Sequence, residues 1–329
     1  RAQGKGHRVT PLPAEARAGA LRWLSPAGFF TLRWLEWGPV TGAPVICVHG
    51  LTRSGRDFDA LARALAASGR RVFCPDLPGR GASDWLSNPA LYQPPIYSQA
   101  LAHLLARMDG PVDWVGTSLG GICGMGIAAT PGNAIRRMVL NDIGAVIPAA
   151  ALARIRDYIN RPAPDFADIA ALEAYLRDVH APFGKLSDSQ WRHLAETSAR
   201  RDAEGAVRLH YDPAITQAFS ADEIADIDLT PFWSAIAIPV LILRDRRIIM
   251  QPDSAFRTTA RRGFRHRPPF GVAQLAEGCM HIAQIRLKRA NIGKVWRGAI
   301  DVVANARQRG GGNDGTNIIQ HHAPDGIAG

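Results

Sequence analysis

Strand and helix patterns alternate along most of this chain, which predicts an α/β fold: a mostly parallel sheet with helices on both faces. The runs Val45-Ile46-Cys47-Val48, Val72-Phe73-Cys74 and Val112-Asp113-Trp114-Val115 have the near-continuous hydrophobicity of strands buried on both sides. Segments with helical apolar spacing lie between and after them, at 57–68, 96–109 and 121–129. From about 146 to 234 strand patterns vanish, helical ones take over, and Pro162, Pro164, Pro182 and Pro213 punctuate them.

In chain order, residues 8–28 are polar and proline-bearing and are expected to wrap the surface. Residues 29–37 alternate as a strand does, and Gly38-Pro39 ends it. The run through Val48 ends in His49-Gly50-Leu51-Thr52, and Gly69 closes the helix over 57–68. The strand at 71–74 leads into a turn-rich loop, Pro75-Asp76-Leu77-Pro78-Gly79-Arg80-Gly81-Ala82-Ser83-Asp84. A further strand is expected at 137–142. The insertion carries helical patterns at 149–159, 169–180, 188–200 and 222–226. Strand patterns return at 238–243 and 272–275, and the polar 306–329 reads as a flexible tail. The expected division is a core of 1–145 and 235–305 with a helical cap or lid of 146–234.

With 329 residues, 47% of them apolar, the chain can bury a large core. It has no run of about 18 apolar residues, so no transmembrane segment is expected. Residues 1–7 contain no hydrophobic signal core, and Cys47, Cys74, Cys123 and Cys279 are far apart. A reducing cytoplasm and no disulfide framework are the expectation. The net charge of +10 is local. Residues 1–243 hold 24 Lys and Arg against 23 Asp and Glu, whereas 244–309 hold 15 against 4. That block has few aromatics, so no nucleic-acid partner is expected. There is no P-loop, dinucleotide fingerprint or metal-ligand cluster, and no cofactor is expected.

The chemistry is concentrated in Gly116-Thr117-Ser118-Leu119-Gly120, set between an apolar strand and a helix of small residues. A serine at the apex of such a sharp turn exposes its hydroxyl, while the helix N-terminus favours negative charge there. The Val48-His49-Gly50-Leu51 turn, the Asp76–Ser83 loop, the serine elbow and a late histidine occur in this order. Together they resemble the α/β-hydrolase superfamily, specifically its capped esterase-like members, over roughly residues 25–300. The resemblance implies an eight-stranded, mostly parallel sheet with a lid inserted after the sixth strand.

It also implies roles. Ser118 would be the nucleophile, Leu51 and Leu119 would supply the backbone N–H donors of the oxyanion hole, and His49 would brace its loop. The general base belongs after the last strand, where Gly278-Cys279-Met280-His281 offers His281. The acid departs from the pattern, because Arg244-Asp245-Arg246-Arg247-Ile248 has isoleucine where the carboxylate is expected. Asp245 is the first candidate, Asp142 after the preceding strand the second, and Asp253 the third. Two origins for residues 244–309 stay open, natural divergence or a shifted reading frame.

The function implied is a serine hydrolase cleaving esters of small to medium apolar acyl groups through an acyl-enzyme. Its partner would be a small-molecule ester, with a homodimer allowed. Lactonase, C–C bond hydrolase, aminopeptidase and cofactor-free haloperoxidase chemistry use the same serine architecture. A catalytically weak ligand-binding protein is the alternative of another class. Phe166, Tyr158, Tyr175, Phe183, Phe219 and Trp233 are candidate pocket walls, and His210 a candidate pocket residue on the lid.

Overall fold

The computed structural model describes residues 7–161, 164–181, 185–219, 225–243 and 318–319. The chain begins with β1 (His7–Arg8), β2 (Ala16–Ser25) and β3 (Gly28–Trp37), and β2 and β3 pair antiparallel along their whole length. Residues 8–28, expected as surface wrap, thus contain a ten-residue strand. Its alternation is present only in its second half, where Leu21, Trp23 and Ser25 are buried and Arg22 and Leu24 exposed. Ala, Gly and Arg over residues 16–20 dilute it.

The alternation then runs β4 (Pro44–Val48), α1 (Asp59–Ala67), β5 (Arg71–Asp76), α2 (Pro94–Leu105), β6 (Val112–Thr117), α3 (Leu119–Ala128) and β7 (Ile135–Asn141). Strand β4 pairs parallel with β5 and β6, and β6 pairs parallel with β7. Successive side chains of these strands enter opposite cores. Ile46, Val48 and Trp114 pack with Leu101, Leu104 and Met125 on one face. Val45, Cys47 and Val115 pack with Leu61 and Leu65 of α1 on the other. Burial on both faces is why these strands read as unbroken apolar runs.

After β7, the sixth strand of this sheet in chain order, the chain leaves it. It forms β8 (Val146–Ile147), α4 (Ala149–Ile159), α5 (Ile169–Val179), α6 (Asp188–Ser198), β9 (Ala199–Arg201), β10 (Val207–Leu209), β11 (Ile227–Asp228) and α7 (Thr230–Ala235). Asp168 caps α5 and a Ser187–Gln190 capping box starts α6. Phe166, Leu172, Leu176, Trp191 and Leu194 form a small core of their own. The helices fall where the spacing predicts them, and the helix expected at 222–226 lies largely outside the described residues. The four short strands were not expected. Two or three residues cannot register a period of two. Strands β9 and β10 form a short hairpin, whereas β1 on the other side of β9, and β11 against β8, are distant in sequence.

The chain returns through β12 (Val240–Leu243), parallel to β7. A two-residue strand, β13 (Ile318–Ile319), pairs antiparallel with β12 inside the stretch expected as a tail. The sheet order is β13-β12-β7-β6-β4-β5-β3-β2. The strand expected at 272–275 lies outside the described residues. Among the described residues no helix is long and apolar enough to cross a membrane. Cys47, Cys74 and Cys123 are buried free thiols.

Candidate active site

Ser118 lies between the last residue of β6 and the first of α3, with φ 48° and ψ −112°. Among the described residues only one other non-glycine residue, Asp142, has positive φ, at 55°. Such conformations cost of order 1–3 kcal/mol and persist where the surroundings enforce them. Here α3 is pressed against β4. A Cβ on Gly120 would fall 2.1 Å from the Val48 carbonyl oxygen, so only glycine allows the helix to start so close to the strand. Gly121 and Ile122 donate to the Ser118 carbonyl at 2.8 and 3.0 Å, so the Leu119 and Gly120 N–H groups lie ahead of the helix's first hydrogen bond.

The second wall is the loop after β4. Arg53 donates its backbone N–H to the Gly50 carbonyl at 3.3 Å, closing a turn with Leu51 and Thr52 at its centre. The Leu51 N–H lies outside that turn's own hydrogen bond. A Cβ on Gly50 would stand 3.8 Å from the Ser118 Cβ, so the loop passes directly over the serine. Ser118, Leu51 and Leu119, predicted to act together, are thereby brought to one place.

His49 has the bracing geometry expected of it. It is fully buried, its Nε2 accepts the Leu77 N–H at 2.9 Å, and its Nδ1 lies 2.7 Å from the Gly50 carbonyl. With Nε2 accepting, the proton is on Nδ1 and points to that carbonyl. Burial pushes the His49 pKa down to about 4, against the opposing pull of Asp76, so the ring is neutral at pH 7. Asp76 fixes the neighbouring loop by accepting the N–H groups of Gly55 at 2.9 Å and Ala82 at 2.8 Å, and it pairs with Arg8. Burial would raise its pKa, but Arg8 and those N–H groups hold it below the usual carboxylate range.

Of the candidate acids, Asp142 directly follows β7, beside the elbow, and its N–H donates to the Leu243 carbonyl at 2.9 Å. Asp245, Asp253 and His281 lie outside the described residues, as do Phe183 and the side chain of Phe219. Phe166 and Tyr175 stack at 5.2 Å within the insertion's own core, and Trp233 is in the main core. They are packing residues. Tyr158 comes near the loop, with its hydroxyl against the Thr52 side chain. His210, the candidate pocket residue on the lid, directly follows β10 and is buried. Burial pushes its pKa down to about 3.

Sequence reasoning passed over Arg53 and Arg80, both buried. Arg53 clamps Asp57 and donates through Nη1 to the Ser198 hydroxyl of the insertion at 2.8 Å. Arg80 donates to the Leu51 carbonyl at 2.8 Å. The sequence carries no signal of this burial, since arginine in a turn-rich loop is ordinarily exposed.

The sequence model of the alpha/beta hydrolase family matches residues 45–287. The chain belongs to the α/β-hydrolase family. Among the relatives of this hydrolase is a 3-hydroxybutyrate-oligomer hydrolase of Cupriavidus necator, 38% identical over 71% of the chain and 82% of that relative. Lipase LipV of Mycobacterium tuberculosis is 36% identical over 42% of the chain and 51% of its own length. An alpha/beta hydrolase of Novosphingobium aromaticivorans superposes with a TM-score of 0.62 at 33% identity, covering 71% of this chain and 82% of that one.

Proposed function

We propose that this hydrolase is a serine carboxylic-ester hydrolase acting on small to medium apolar acyl groups, with short hydroxy-acid oligoesters the favoured class. The observation that carries the reading is Ser118 held at φ 48° on a strand–helix elbow beneath the Gly50–Leu51 loop. Ser118 Oγ attacks the acyl carbonyl and His281 takes its proton. The Leu51 and Leu119 N–H groups hold the oxyanion. His281 then gives the proton to the leaving alkoxide, and water releases the acyl group by the same steps. The Cupriavidus necator relative, whose name gives 3-hydroxybutyrate oligomers, supports the substrate class.

Two carboxylates compete to orient His281. Asp142 is supported by its strained backbone at the end of β7, next to the strand that delivers Ser118. Asp245 is supported by its position two residues after β12. The residues from 146 to 234 would form the lid.

The test is hydrolysis of p-nitrophenyl esters from acetate to laurate and of 3-hydroxybutyrate dimer. Wild type, Ser118→Ala, His281→Ala, Asp142→Asn and Asp245→Asn are compared. Both alanine variants are expected to lose turnover, and the true acid to lose about 10⁴ in kcat. A stoichiometric burst without turnover would favour the ligand-binding reading, which Ile248 at the usual acid position already supports.

A further inference from the structure

Arg80 is fully buried and forms no ion pair with a carboxylate among the described residues. Instead its Nε donates to the Leu51 carbonyl at 2.8 Å and its Nη1 to the Pro78 carbonyl at 2.7 Å. Its guanidinium lies over the Tyr97 ring at 4.7 Å and over the Tyr92 ring at 5.7 Å. A buried guanidinium without a counter-charge is costly, and two carbonyls and two aromatic faces offset only part of that cost. Fold stability alone gives no reason to put such a cation against the peptide that follows Leu51.

The backbone of Arg80 is fixed as firmly as its side chain. It bridges antiparallel to Tyr211 of the insertion. On either side Gly81 donates to the His210 carbonyl at 3.1 Å, and Asp212 donates to the Gly79 carbonyl at 2.8 Å. The Tyr92 hydroxyl donates to Asp212 Oδ2 at 2.6 Å, tying the ring beside Arg80 to the same strap.

We propose that Arg80 is a positioning residue for the oxyanion hole: it fixes the Leu51 peptide and supplies an unpaired positive charge close to where the oxyanion forms. This rests on the ester-hydrolase reading. The charge is preorganised, since strap, tyrosines and carbonyls hold it before substrate arrives. Its effect is on the transition state and not on the neutral ester, so it acts on kcat and leaves KM nearly unchanged.

The experiment compares wild type, Arg80→Lys and Arg80→Met, each checked by thermal unfolding. The readouts are kcat and KM on p-nitrophenyl butyrate and the rate of Ser118 labelling by an alkyl fluorophosphonate. In labelling, the serine oxygen bonds phosphorus as the P–F bond breaks, fluoride leaves as the anion and the general base takes the hydroxyl proton. Arg80→Met is expected to lose about tenfold to a hundredfold in kcat and in labelling rate at constant KM, and Arg80→Lys to recover part of both. Equal labelling of folded wild type and Arg80→Met overturns the assignment while leaving the ester reading intact.

If wild type does not label, the ester reading fails, and amide exchange over residues 49–53 decides on Arg80 by itself. At least tenfold faster exchange in Arg80→Met supports the assignment, and unchanged protection overturns it. If both Arg80 variants unfold, Asp212→Asn loosens the strap with Arg80 retained. A several-fold loss of kcat at constant KM supports the assignment, and an unchanged kcat overturns it.

Discussion

The backbone N–H of Ser118 donates to the carbonyl of Asn141 at 2.9 Å, so the apex of the elbow is tied to the end of the neighbouring strand. The next residue, Asp142, donates in turn to Leu243 on the strand beyond. Two strained non-glycine residues are thus fixed across three adjacent strands, β6, β7 and β12. The ladder is parallel throughout, and its register places Thr117 beside Asn141 and Asn141 beside Leu243. Strain at Ser118 is affordable because the sheet on one side and α3 on the other leave the turn no alternative.

Replacing Ser118 by glycine removes that strain together with the hydroxyl. The variant is expected to gain about 1 kcal/mol of stability, since relief of the unfavourable φ exceeds the added flexibility of the unfolded chain. That corresponds to roughly 2–4 °C in Tm for an ordered region of this size. Fluorophosphonate labelling should vanish. A Tm at or below that of wild type would show that the elbow stores no strain.

Gly120 is the other half of the elbow. An alanine there meets the Val48 oxygen at 2.1 Å and carbon at 2.6 Å, both backbone atoms that cannot turn aside. Helix α3 must move off β4, at a cost of about 2–3 kcal/mol. The move carries the Leu119 N–H away from the Leu51 loop, so labelling of the folded fraction should fall as well. Urea unfolding and labelling on one preparation separate the two effects. Wild-type values in both would mean that the close approach is not needed.

The elbow, its flanking loops and the parallel strands could be read in the sequence because each rests on local chemistry. Gly116-Thr117-Ser118-Leu119-Gly120 specifies a turn by itself, and Val45 to Val48 are apolar because both faces of β4 are covered. Strand β2 was missed because half of its residues face solvent on both sides of a hairpin edge. The strap at Tyr211 and the pairing of β8 with β11 depend on partners 80 or more positions away, and no local pattern encodes them. The buried role of Arg80 was hidden for the opposite reason: an arginine in a glycine-rich loop reads as surface.

Acid should weaken this protein through its buried histidines. Burial lowers the pKa of His49 to about 4 and of His180 and His210 to about 3. In the unfolded chain each titrates near 6.5. Their contribution is therefore complete above about pH 6.5, where both states are neutral. It is lost as pH falls toward 4 and then 3, because only the unfolded state takes up the protons. Asp76 and Asp113, held below the usual carboxylate range, add a second loss below about pH 4, as the unfolded carboxylates take up protons that the native ones still refuse. Urea denaturation at pH 7.5 and pH 5 should differ by several kcal/mol, in the range linkage allows for three such groups. The His210→Phe variant should flatten the profile. Equal stability at the two pH values would refute the neutral, buried state of these rings.

Asp113 tests a different part of the sheet. It is almost wholly buried at the start of β6, where Arg136 and Arg137 each reach it at 2.9 Å and Arg70 also pairs with it. Burial would raise its pKa, yet the arginines hold the carboxylate below its usual range. In Asp113→Asn three guanidinium groups face one another without a counter-charge. Breaking such a site is expected to cost about 3 kcal/mol, at the low end for buried pairs because the arginines keep part of their hydration. Arginine repulsion is screened by salt, so 1 M NaCl should recover more stability in the variant than in wild type. Labelling of Ser118 per folded molecule should stay at the wild-type rate, because Asp113 and Ser118 lie at opposite ends of β6. A loss that salt does not reduce would assign the role of Asp113 to its hydrogen bonds instead of its charge.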